Sequence, residues 1–263
     1  MSELLGRLPG LIDEVPPELR ILVGLALTGL LVMLRLEAER FGTAEYDEPV
    51  RGHRPPVLRR IAWYGLGVAG IALLMFVHPS PQRDLHLAVG EQSGLVVAFV
   101  LVAAGIAQAV VQAWLHYRRL RLPDVTAYPG ALANEIFTAL IDEAVFRGAV
   151  LGYFLWVSGG DVTLSILGQA AMYGLATRLG APGRDRYVFA LALVIGLVGG
   201  WATIATGGVG AAFLGHAVTR VAMFLTTGHP GQPAPPGREV EDFEKRRRTP
   251  EGWRVVERGG RGR

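Results

Sequence analysis

"NEIFTALIDEAVFRGAVLGYFLWV", residues 134–157, decides how this chain is read. It is long enough to cross a bilayer as a helix, since a hydrocarbon core of about 30 Å needs about 20 helical residues. Yet it carries Glu135, Asp142, Glu143 and Arg147. A charge at the bilayer centre costs a few kcal/mol on insertion scales. Such a helix persists only where its charges face one another or a wet cavity. The stretch therefore implies a bundle of further helices around it.

The rest of the chain supplies them. Of 263 residues, 51% are hydrophobic and 19% charged, and the mean hydropathy is +0.34. Those values suit an all-α, polytopic integral membrane protein. Seven apolar runs read as spans: 19–36, 57–78, 94–115, 131–157, 162–178, 187–206 and 209–227. Residues 1–18 mix leucines with polar residues and read as an interfacial or disordered lead-in. Residues 228–263 are rich in Pro, Gly and charge, and read as a basic, largely disordered tail. There are no cysteines, which excludes disulfides, thiolate metal sites and a cysteine nucleophile.

The net charge of +3 and the pI near 9.5 do not point to nucleic acid, because the arginines fall where topology places them. Arg35, Arg40, Arg51, Arg54, Arg59 and Arg60 flank the first loop. Arg118, Arg119 and Arg121 lie in the third, and Arg178, Arg184 and Arg186 in the fifth. The tail adds nine Lys or Arg. By the positive-inside rule the odd loops and the tail are cytoplasmic and the N-terminus is outside. This alternation requires an odd number of spans, as seven is. The expected surroundings are the cell membrane and its lipid.

With the loop residues set aside, the ionisable groups left inside spans are Glu135, Asp142, Glu143, Arg147, His216 and Arg220. They come from the fourth and seventh spans alone. Glu135 and Asp142 are seven apart and share a helical face. Glu143 with Arg147, and His216 with Arg220, have i,i+4 spacing. Asp142 and His216 lie at similar depths. The fifth span adds Gln169, Tyr173 and Thr177 along one face. The set reads either as an ion-pair network locking two helices together, with Arg220 on Asp142 or Glu135, or as a hydrated site. Charge placement alone leaves hydrolysis and a proton or ion pathway equally open.

Three stretches resemble the motifs of the CPBP family of intramembrane proteases, which includes the CAAX prenyl endopeptidases. "DEAVFRG" (142–148) is similar to the Glu-Glu-x-x-x-Arg motif. "MYGLAT" (172–177) occupies the place of an aromatic-Gly-x-x-His motif. "LGHAVTRV" (214–221) is similar to a His-x-x-x-Asn/Asp motif. The resemblance covers about 131–227. It implies a peptide endopeptidase acting on a peptide or membrane-protein substrate. Asp142 would be the general base and Glu143–Arg147 the organising pair, with His216 supporting the oxyanion. Thr177 and Arg220 stand where the family has His and Asn or Asp, and Asp142 is one methylene shorter than Glu. An inactive relative that binds or scaffolds membrane proteins is therefore the alternative. No cofactor is expected. A divalent metal held by Asp142, Glu143 and His216 would be opposed by Arg147 and Arg220. If Asp142 and His216 share a water, they must border one cavity within about 8 Å of each other.

Overall fold

The computed structural model describes residues 15–41, 57–117, 120–123, 129–179, 186–227 and 253–256. Its long helices are α1 (Pro17–Leu36), α2 (Val57–Val77) and α4 (Gly94–Tyr117), with the short α3 (Pro81–Asp84) between the last two. The charged stretch forms α5 (Pro129–Glu143). This continues through a π-helical segment, Ala144–Val150, into α6 (Leu151–Val157). Then come α7 (Val162–Leu179), α8 (Arg186–Thr206) and α9 (Gly210–Thr227). The expected spans and these segments agree within two residues at every end. Among the described residues, four helices are long and apolar enough to cross a membrane, and α7 and α9 are shorter apolar helices. The protein is an all-α, polytopic membrane protein.

Its polarity is inverted relative to a water-soluble fold. Glu135, Glu143 and Arg147 are fully buried, whereas Leu22, Leu30, Leu58, Val96 and Phe99 are more than 60% exposed. Exposed apolar surface on this scale needs hydrocarbon as its solvent. The charged segment is the hub, packed against α1, α2, α7, α8 and α9. Trp63, Leu74, Leu85, Phe146, Tyr153 and Tyr173 form the apolar core around it. Trp63 Nε1 donates to the Leu34 carbonyl at 2.8 Å, fixing the end of α1 against α2.

Two devices place α9. At its start, Gly207 adopts φ 70°, a conformation costly for residues with a Cβ. The chain thus turns straight from α8 into α9. Val209 and Gly210 N–H groups donate to carbonyls of Ala88 and Val89, stapling this turn to the loop after α3. Along its length α9 lies tight on α4. A Cβ at Gly105 would collide with Thr219 Oγ1, and one at Gly215 would meet the Leu101 side chain.

One feature was absent from the sequence reading. Leu120–Pro123 (β1) pairs antiparallel with Trp253–Val256 (β2), so part of the tail expected to be largely disordered is a strand. Alternation over four residues is too short to register as a strand in a charged, Gly-rich tail. The lead-in up to residue 14 and the rest of the tail lie outside the described residues.

Candidate active site

Asp142 and Glu143 close the last turn of α5 and lead directly into the π-helical segment that carries Arg147. Short π segments within α-helices mark functional sites frequently. Neighbouring helical residues point about 100° apart, so the two carboxylates address different helices. Glu143 faces α9, where its Oε1 accepts a hydrogen bond from His216 Nδ1 at 2.7 Å. Arg147 Nη1 stands 3.2 Å from the same oxygen. Asp142 faces α1, where its Oδ1 is 3.1 Å from Arg35 Nε.

Glu135, two turns earlier, takes Arg220 Nε at 2.9 Å. Arg220 therefore meets the second of the two acids left open by the sequence. The antiparallel packing of α5 and α9 gives the physical reason. His216 lies opposite Glu143, so Arg220, one turn further along α9, lies toward the start of α5.

Tyr173 of α7 completes the arrangement. Its hydroxyl is 3.3 Å from His216 Nε2, and the Arg147 guanidinium lies 4.4 Å above its ring. An ionised carboxylate only accepts, so Nδ1 of His216 carries the proton. In the neutral imidazole Nε2 is then the acceptor for the Tyr173 O–H. Both nitrogens are engaged. Gly199 of α8 leaves room for the arginine, since a Cβ there would sit 3.0 Å from Arg147 Nε.

A cavity of about 190 Å³ lies between α4, α8 and α9. Glu143 and His216 border it, together with Gln108, Gly199, Thr219 and apolar side chains. That volume holds several waters or a small side chain. Asp142, Thr177 and Arg220 are not part of its described lining. Thr177 is buried on α7 beyond Tyr173. The structure thus joins Glu143, Arg147 and His216 and sets Asp142 apart with Arg35.

The sequence reading missed Arg35, Tyr173 as the partner of His216, and Gln108. Arg35 sits in the last turn of α1 and was counted as a loop residue, yet it is only 4% exposed. An arginine at a span end either snorkels outward or reaches inward, and hydropathy does not distinguish the two. Gln108 lay in plain view as a polar residue within an apolar span.

Residues 124–222 match the family model described as Rce1-like, type II CAAX prenyl endopeptidase. The matched segment overlaps the stretch whose motifs resemble the CPBP family. The segment runs from before α5 to the last turns of α9, so it contains Asp142, Glu143, Arg147, Tyr173, His216 and Arg220 but not Arg35 or Gln108. No curated protein and no solved structure matches the chain. Each of the three buried carboxylates faces an arginine. Among the described residues no cluster of three His, Asp or Glu is arranged as a metal site.

Proposed function

We propose that the protein is an intramembrane endopeptidase whose working pair is Glu143 and His216. One observation carries this reading: a hydrogen-bonded Glu143–His216 pair borders a cavity that Asp142 does not reach. Glu143 Oε2 has no hydrogen-bond partner among the described residues, which leaves it available to a water. In this reading Glu143 takes a proton from that water as its oxygen attacks the peptide carbonyl carbon. The same proton passes to the leaving amine when the C–N bond breaks. His216, donating through Nδ1 and anchored by Tyr173, fixes the glutamate rather than the oxyanion. Gln108 borders the same cavity; its Nε2 donates to Gln112 Oε1 at 3.1 Å and lies 3.6 Å from the Met223 sulfur. The substrate is a peptide bond of a membrane-embedded or membrane-apposed polypeptide.

The second reading, an inactive relative that binds membrane proteins, draws on the Arg35–Asp142 pair and on Thr177. The residues that the family uses to hold water are here tied up or replaced. Purified protein in nanodiscs, offered a library of apolar peptides, separates the two. Cleavage by wild type, lost in folded Glu143→Gln and His216→Asn, supports the protease. Peptide binding without cleavage supports the inactive relative.

A further inference from the structure

Among the described residues the buried carboxylates are Glu135, Asp142 and Glu143, and the buried arginines are Arg35, Arg147 and Arg220. They pair one to one. On sequence alone two arginines faced three acids, and His216 was needed as the third cation. With Arg35 reaching in from α1, the cluster is neutral without it. We infer that Arg35 is a positioning residue: by neutralising Asp142 from outside the matched segment, it keeps His216 an uncharged imidazole with its proton on Nδ1.

The ionisable groups facing His216 are Glu143, Arg147 and, further off, Asp142 from the central segment, and Tyr173 from α7. From α4 and α8 the cavity brings only neutral groups, such as Gln108 and Gly199. Arg35 and Asp142 are 4% and 1% exposed, so solvent does little to screen the loss of one partner. Without Arg35, three carboxylates face two cations. The groups able to take up a proton and restore neutrality are the orphaned Asp142 itself and His216, and only protonation of His216 alters its contacts with Glu143 and Tyr173. A protonated His216 donates through both nitrogens. It can no longer accept from Tyr173, and it ties Glu143 more tightly, opposing proton transfer from water.

This role rests on the Glu143–His216 reading above, but it is tested without turnover. Protein labelled with ¹⁵N-histidine, in nanodiscs at neutral pH, reports the tautomer of His216, whose signal is assigned by its loss in His216→Asn. Wild type is expected to show a neutral imidazole protonated at Nδ1. Arg35→Met should convert His216 to the doubly protonated form. Arg35→Lys, and the neutral pair Arg35→Met with Asp142→Asn, should return the wild-type signal. Should Arg35→Met not fold, Arg35→Gln, which keeps donors without charge, carries the same expectation. A neutral His216 after loss of the Arg35 charge overturns the inference, as does failure of the double variant to restore it. If the signals behave as expected but wild type cleaves nothing, the inference stands and the protease reading falls.

Discussion

Asp142 and Glu143 are adjacent and chemically near-equivalent, yet a turn of about 100° gives them separate partners. One is held by Arg35 and the other by His216 and Arg147. The same logic governs Glu135 and Arg220. Attraction between buried charges roughly offsets their desolvation, but removing one partner strands the other at a cost of about 3–5 kcal/mol. Arg220→Met should therefore unfold markedly more easily in detergent. Adding Glu135→Gln should recover most of the loss, as followed by thermal melting. One residue past the end of α2, His78 makes a pH prediction. Its Nδ1 accepts the Ser80 N–H at 3.1 Å and its Nε2 lies 3.4 Å from the Gly152 carbonyl. Burial pushes its pKa below the ordinary histidine value, against an upward pull from Gly152. The neutral form is thus favoured by folding. Stability is fully present above the unfolded value of about 6.5 and falls as acid protonates the ring. The melting temperature should drop between pH 8 and pH 5, and His78→Gln should flatten part of that slope.

Among the elements, α9 carries the imidazole and α4 presses it into place. Their contact depends on small residues, since backbones in a bilayer gain by close approach. Gly105→Ala should therefore destabilise, by about 1–3 kcal/mol from overpacking against Thr219. Gly65→Ala, on α2 with nothing within 4 Å of the new methyl, should instead be neutral or stabilising, by up to about 1 kcal/mol. Thermal melts of the two variants, side by side, check the opposite signs. The helices themselves were readable from apolar run length. What stayed hidden was angular. The π segment at Ala144–Val150 shifts the faces presented after Glu143, and no residue pattern announces it. Hence Glu143–Arg147 was legible from its i,i+4 spacing, while the partners of Asp142 and His216 were not.

For the whole molecule, the inverted polarity was visible in the sequence as apolar runs punctuated by loop arginines. Arg35 was misplaced because every span-end arginine was treated as topogenic. The strand pairing of Trp253–Val256 with Leu120–Pro123 joins segments more than 100 residues apart, which local pattern does not reveal. The arginine distribution still predicts orientation, and the cysteine-free chain makes that easy to check. Single cysteines at Ser2 and Thr249 should react with an impermeant maleimide from outside the cell and only after lysis, respectively. Labelling of Thr249→Cys in intact cells would reverse the topology.

The central claim is that Glu143, not Asp142, is the working carboxylate. Peptide cleavage in nanodiscs by wild type, Glu143→Gln and the neutral double variant Arg35→Met with Asp142→Asn tests it most directly. The account predicts that Glu143→Gln lowers kcat by about 100-fold or more, the usual contribution of a general base. The folded double variant should keep its rate within about tenfold. Cleavage that survives Glu143→Gln but disappears in the double variant would contradict the assignment and return the base to Asp142.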